Sequence, residues 1–230
     1  MTDVSICTPY FNRLEQLNTT LLSYLEVGYF NHPDVEVELS ICDDGSNWHN
    51  RIPEEMKVQY VTSYIERKKD EVDIWLNPCV PLNQAVDQSS GKVLALTEPE
   101  VYHEEPVLFK MLDMIEDDKD VIVCPCKILG NKRAKWYAHP VHRNRPSWWF
   151  MLITRSFWNE IGGFDPIFRH STGYDDDDFM RSVKKLEGNI RWAEDLYVVH
   201  PVQQSKRSAL KGKYVGGRKL MAKKWKTYKL

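Results

Sequence analysis

The most conspicuous chemistry in this 230-residue chain is a run of four aspartates, Asp175-Asp176-Asp177-Asp178. Like charges at close range raise one another's pKa, so gathering four of them is costly. A helix start relieves part of that cost, because the free N–H groups and macrodipole of a first turn favour a carboxylate by about 0.3–1 kcal/mol. Capping accounts for one or two of the four and leaves the rest for other work. Helix geometry then divides them. Phe179, Val183 and Leu186 recur at the helical period and form an apolar stripe that must face the core. One turn back, Asp175 and Asp176 flank the stripe and point inward at the helix mouth. Asp177 points nearly opposite, as a solvated cap, and Asp178 sits to the side without an assigned role. An inward carboxylate at such a mouth can take a proton from a hydroxyl.

Two other groups of residues invite chemistry. Glu98-Pro99-Glu100 puts two carboxylates at the end of a buried strand, suited to a hard divalent cation, Mg²⁺ or Mn²⁺, which takes oxygen ligands and clamps phosphates. The segment from Trp136 to Trp149 carries Tyr137, His139, His142, Arg143, Arg145 and Trp148. Aromatic faces there can pack on the apolar faces of sugars, and Arg and His can bind phosphates or hydroxyls. His139 and Trp149 are the candidates for such contacts. The five cysteines, Cys7, Cys42, Cys79, Cys124 and Cys126, lack the paired spacing of a zinc site and read as small core residues.

The elements that must position these residues alternate along the chain. Strand patterns cover 4–8, 35–42, 57–61, 92–97, 121–124, 149–153 and 196–199, and helical patterns cover 14–25, 82–88, 105–115, 156–161 and 175–186. Such alternation predicts an α/β domain with a mostly parallel mixed sheet and helices on both faces. Residues 131–146, rich in Lys, Arg, His and Pro, read as a long functional loop. Open α/β sheets bind ligands beyond the carboxyl ends of their strands. Three polar clusters fall on that edge: 9–13 after the first strand, 43–46 after the second and 98–100 after the fourth. Neither GxGxxG nor GxxxxGK[ST] occurs, so a Gly-rich phosphate cradle is excluded and a metal is the expected device for holding phosphates.

Net charge is −2, but 206–230 holds ten Lys and Arg and no acid. The reading is therefore a domain over 1–205 and a basic tail over 206–230. The tail reads as a solvated helix or as a candidate for peripheral contact with an anionic membrane; nucleic acid is not the expected partner. No stretch approaches the roughly 20 apolar residues of a membrane span, and no secretory pattern opens the chain, so a soluble, cytoplasmic protein is expected.

Taken together, the motifs resemble family 2 glycosyltransferases of the GT-A fold. They are Val4-Ser5-Ile6-Cys7-Thr8-Pro9-Tyr10-Phe11-Asn12-Arg13, then Cys42-Asp43-Asp44-Gly45-Ser46, then Gly162-Gly163-Phe164-Asp165, then Gly173-Tyr174 with the acidic run. The resemblance covers roughly 4–200. It implies transfer of a sugar from a nucleoside diphosphate sugar, a UDP-sugar favoured, to a hydroxyl of a glycan acceptor, with inversion. On that resemblance Asp176 is the general base and Asp175 orients the acceptor. Thr8, Pro9, Tyr10 and Arg13 line the donor, Asp44 accepts a hydrogen bond from the base, and Glu98 lies near the ribose. Glu100 and His200 are the metal ligands, for Mn²⁺ or Mg²⁺. Glu98-Pro99-Glu100 departs from the family's Asp-x-Asp, which keeps a catalytically inactive sugar-nucleotide-binding module open as an alternative. A nucleotidyltransferase is the other alternative.

Overall fold

The structure is a computed structural model that describes residues 2–72, 74, 76–130, 135–201 and 216–225. A seven-stranded sheet runs through its centre. Its strands are β1 (Val4–Tyr10), β2 (Val37–Asp43), β3 (Val61–Tyr64), β4 (Val93–Thr97), β5 (Asp120–Val123), β8 (Phe150–Thr154) and β9 (Asn189–Trp192). Their order is β3-β2-β1-β4-β8-β5-β9. The first four are mutually parallel, and β8 alone runs antiparallel, to both β4 and β5. A second sheet joins β10 (Val198–Pro201), β6 (Cys126–Leu129) and β7 (Trp136–Ala138) in the order β10-β6-β7.

Strand residues alternate between two cores, which is how a sheet covered on both faces must be built. Phe150 and Leu152 of β8 enter one core, and Met151 and Ile153 the other. Helices α1 (Leu14–Glu26) and α4 (Val107–Leu112) close the first face through Leu17, Leu21, Val107 and Leu108. The second face is closed by α3 (Cys79–Asp87), α5 (Arg155–Ile161) and α6 (Asp175–Lys185), through Leu82, Phe157, Phe179 and Val183. Each such side chain contributes about 1.5–3 kcal/mol by leaving water. The five cysteines are free and buried, and burial pushes the thiols of Cys7, Cys42 and Cys79 up to about 12, so they pack as inert core residues.

Three stretches depart from the sequence reading. The strand expected over 57–61 is instead the end of a short helix, α2 (Glu54–Gln59), followed by β3. Pro53 and the acids Glu54 and Glu55 make a good helix start, and the ladder to β2 begins only at Val61. Within the expected loop 131–146, β7 forms, and His139 and Arg143 exchange both backbone hydrogen bonds at 3.0 Å to close a tight hairpin; 131–134 lie outside the described residues. Of the basic tail, 216–225 are described, and Gly217–Lys224 is a helix, α7. It packs through Met221, Leu220 and Trp225 on the second core instead of standing free in solvent.

Candidate active site

The three polar clusters meet at the carboxyl ends of β1, β2 and β4, as a parallel sheet requires. At the end of β1, Thr8 and Tyr10 are both buried, and the Tyr10 hydroxyl donates to the Asn50 carbonyl at 2.5 Å. The Tyr10 ring belongs to the first core. The neighbouring Phe11 lies under the Arg67 guanidinium, whose carbon is 3.6 Å from the ring centre.

Asp44, at the end of β2, has both carboxylate oxygens occupied. Arg169 grips it in bidentate fashion at 2.6 and 2.7 Å, and Arg67 adds a third bond at 2.7 Å. All of this lies among buried atoms: the side chains of Asp44 and Arg67 are 3% and 1% exposed. Two guanidinium groups on one carboxylate offset its charge and that of the neighbouring Asp43, and guanidinium groups are of the kind that bind phosphates. Gly45 makes the arrangement feasible. Its φ of +75° favours glycine, and a Cβ there would lie 2.6 Å from Arg67 Cγ. Beyond β2 and β3 a cavity of about 270 Å³ is lined by Asp43, Arg51, Ile52, Lys57 and Tyr64; Thr8, Pro9, Tyr10 and Asp44 do not line it.

Glu98, Glu100 and His200 come together, with one ligand atom from each lying within 4.8 Å of the others. His200 Nε2 is 3.3 Å from Glu100 and 4.0 Å from Glu98. His200 Nδ1 stands 2.6 Å from the Pro201 carbonyl, a contact that needs its proton on Nδ1 and so turns the Nε2 lone pair toward the carboxylates. Two carboxylates and a neutral imidazole held in this way fit a divalent cation, Mn²⁺ better than the more strictly oxygen-seeking Mg²⁺. Burial lowers the pKa of His200 and raises that of Glu98. Arg13 forms an ion pair with the buried Glu100. Trp149, expected at the acceptor, covers this cluster. It stacks on Tyr137 with ring centres 4.7 Å apart and meets His200 edge-on at 4.7 Å.

His139, the other acceptor candidate, accepts the backbone N–H groups of Val141 and His142 at 3.0 and 3.2 Å through Nδ1. Its ring packs 4.2 Å from Trp136. These bonds fix the neutral tautomer with the proton on Nε2 and build the hairpin.

The acidic run opens α6 after two consecutive left-handed residues, Gly173 and Tyr174, both at φ 73°. For Tyr174 that conformation costs roughly 1–2 kcal/mol, held by the packing around it. Each aspartate then has its own partner. Asp175 is buried and accepts from Asn77 Nδ2 at 2.8 Å and Trp148 Nε1 at 3.4 Å. Asp176 is half-buried and accepts from the Trp148 backbone N–H at 3.2 Å. Its pKa is raised well above the ordinary carboxylate range, first by burial, then by the charge of Asp175, with Glu98 adding to the effect and Arg145 opposing it. Burial raises Asp175 as well. Asp177, read as a solvated cap, is two-thirds covered and pairs with Arg145 at 2.7 Å. Asp178 is 3% exposed and accepts from Lys224 and Trp225 of the α7 segment.

The sequence reading missed Arg67, Arg169 and Asn77 as members of this site, and named Trp148 within the 136–149 segment without a role beside the aspartates. Arg67 sits in a mixed-charge loop and Arg169 in a short 3-10 helix, Pro166–His170, so neither shows a pattern. Trp148 acts on Asp176 through its backbone, which no side-chain motif can reveal.

A mixed sheet whose polar strand ends, carboxylate–imidazole cluster and acidic helix mouth lie at one edge defines an α/β domain built to hold a metal ion and a reactive carboxylate. The sequence model described as glycosyl transferase family 2 matches residues 5–187, so the chain belongs to that family. Among solved structures, residues 1–349 of TarS from S. aureus match with a TM-score of 0.65 at 17% identity, covering 87% of this chain and 60% of that one. The full TarS structure matches at 0.67 and 16% identity, covering 91% and 38%. The mannosyltransferase PcManGT from Pyrobaculum calidifontis, solved in complex with GDP-Man and Mn²⁺, matches at 0.63 and 14%, covering 90% and 59%. These likenesses establish the GT-A fold, and the chain spans less than two thirds of each of these proteins. No curated protein sequence matches. Among the described residues no helix is long and apolar enough to cross a membrane.

Proposed function

We propose that this chain moves a hexosyl group from a nucleoside diphosphate sugar to a hydroxyl of a glycan acceptor, with inversion at the anomeric carbon. One observation carries the reading. Asp176, with raised pKa and a hydrogen bond from the Trp148 N–H, lies near enough to Glu98 of the Glu98, Glu100 and His200 cluster for that charge to act on it. Asp176 takes the proton of the acceptor hydroxyl as its oxygen bonds to the anomeric carbon. The bond from that carbon to the diphosphate oxygen breaks, and its electron pair leaves with the nucleoside diphosphate. A carboxylate with raised pKa is a stronger base than an ordinary one, and a positioned base contributes about 10²–10⁴-fold. Asp175, fixed by Asn77 and Trp148, orients the acceptor.

Glu98, Glu100 and His200 would hold Mn²⁺ or Mg²⁺. A bound cation neutralises charge on the departing diphosphate. Arg67 and Arg169, tied to Asp44, favour the same negative group, and Arg13 balances Glu100. Thr8, Pro9 and Tyr10 support the base end of the donor, and Trp149 and His139 border the acceptor side. A UDP-sugar is the favoured donor, with GDP-sugars next because the mannosyltransferase neighbour binds GDP-Man. In this reading 1–205 form the transferase domain, working in the cytoplasm, and the basic residues of 206–230 add contact with an anionic membrane.

The ion pair of Arg13 with Glu100 favours a second reading, a sugar-nucleotide-binding module without turnover, because it occupies a carboxylate that a metal would need. The experiment is a screen of UDP-, GDP- and dTDP-sugars with and without Mn²⁺, reading nucleoside diphosphate release. Release supports transfer. Binding by calorimetry without release supports the module, and pyrophosphate release would point to a nucleotidyltransferase.

A further inference from the structure

Asp178 has no part in the chemistry above, yet it is a fully buried acid next to the catalytic turn. Its two oxygens are taken by neighbours from the far end of the chain, Lys224 Nζ at 2.8 Å and Trp225 Nε1 at 2.7 Å. Lys224 Nζ also donates to Asp165 at 2.8 Å. Asp165 is the N-cap of the 3-10 helix Pro166–His170, accepting from Ile167 N at 2.9 Å. That short helix carries Arg169, the bidentate partner of Asp44.

One lysine thus joins the starts of two elements. One element presents Asp175 and Asp176, and the other presents Arg169. The other end of α7 is equally close. A Cβ on Gly217 would lie 2.6 Å from the Gly173 carbonyl and 2.8 Å from Tyr174 Cδ2, so the helix start rests directly on the left-handed turn that launches α6. Tyr174 is held in a conformation that costs a residue other than glycine, so the turn needs support from its neighbours. Met221, Leu220 and Trp225 anchor α7 on the second core, so the contact is fixed by apolar packing as well as by charge.

We propose that Lys224 and Trp225 are positioning residues for sugar transfer: α7 clasps the 173–178 turn through Asp178 and holds Asp176 at its working angle relative to the Arg169 anchor. The proposal rests on the transferase reading for its catalytic consequence, while the clasp itself is a statement about the turn. Lys224 touches neither the proposed donor site nor Asp176, so its effect travels only through Asp178 and Asp165. Small misplacements of a catalytic group are expensive, since about 1 Å can cost around a hundredfold in rate.

The test uses the full chain and three variants, Lys224→Met, Lys224→Arg and Trp225→Phe, each checked for melting well above the assay temperature. With saturating donor, Lys224→Met is expected to lower the single-turnover transfer rate about tenfold, with donor Kd within about twofold. Lys224→Arg, which keeps a donor for both carboxylates, restores most of the rate. Trp225→Phe, which removes one N–H, falls between. A wild-type rate in Lys224→Met, or an arginine variant as slow as the methionine one, overturns the proposal. Amide hydrogen exchange supplies the arm independent of turnover. In Lys224→Met, or in Trp225→Phe should the former not fold, amides 174–178 should exchange at least about tenfold faster while those of β1 and β4 stay unchanged. Unchanged exchange at 174–178 overturns the clasp. If no donor is turned over by the wild-type protein, the transferase reading fails, and the exchange result still decides the clasp.

Discussion

The two walls of the crevice handle their carboxylates in opposite ways. On the strand-end wall two acids are tied to basic side chains from elsewhere in the chain: Asp44 to Arg67 and Arg169, and Glu100 to Arg13, with His200 beside it. On the helix wall the same kind of side chain occurs four times in a row, and the run is shared out. Asp175 goes to neutral donors, Asp177 to Arg145 and Asp178 to Lys224, which among the described residues leaves Asp176 with a single backbone N–H. An ion-paired acid holds geometry, whereas an acid raised in pKa by burial and by a like neighbour is the better proton acceptor once ionised. The contrast sets acids that hold geometry through guanidinium partners apart from Asp176, which is raised in pKa and has no basic side chain bonded to it among the described residues.

The most severe way to break the holding wall is to remove Asp44. Asp44→Ala leaves two guanidinium groups without their shared carboxylate, and loss of one partner from a buried charge pair costs about 3–5 kcal/mol. Urea unfolding should register it; a loss below about 1 kcal/mol would mean that water already screens the cluster. Next in size is the metal-type cluster. His200→Ala should weaken Mn²⁺-dependent donor binding by about 10–100-fold, the scale of losses at metal sites, as read by calorimetry. If binding did not change, the ion would have to be held elsewhere.

On the helix wall the expected effect is one of pH. Asp176 acts only when ionised and its pKa is raised, so kcat/KM should fall as pH drops through a value above the ordinary carboxylate range. A limb at the ordinary value near 4 would remove the argument from burial. The smallest effect concerns stability. A carboxyl group with raised folded pKa makes folding more favourable when protonated, so its charged form destabilises the fold at pH values above the folded pKa. Asp176→Asn should therefore raise Tm at neutral pH by about 2–4 °C, corresponding to roughly 1 kcal/mol in a domain of this size.

Much of this was legible in the sequence because it rests on periodicity and turn chemistry. The stripe of Phe179, Val183 and Leu186 did face inward and carried Asp175 with it, whereas Asp178, not Asp176, is the second buried acid of the run; β1, β2 and β4 ended within a few residues of the expected positions. What the sequence could not give depends on contacts between distant segments. Arg169 and Asp44 are 125 residues apart, and the burial of Asp178 follows from a helix that begins at Gly217. The strands β6 and β7, at four and three residues, are too short for a period of two to stand out, and the basic composition around them hid the hairpin.

The most direct test of the division between holding and reacting acids is the single-turnover rate of Asp176→Asn at saturating donor, measured beside its donor Kd. The account predicts a rate lowered by about 10²–10⁴-fold with donor affinity within about twofold of wild type. A variant that transfers sugar at the wild-type rate, or one whose loss is wholly in donor binding, would contradict it.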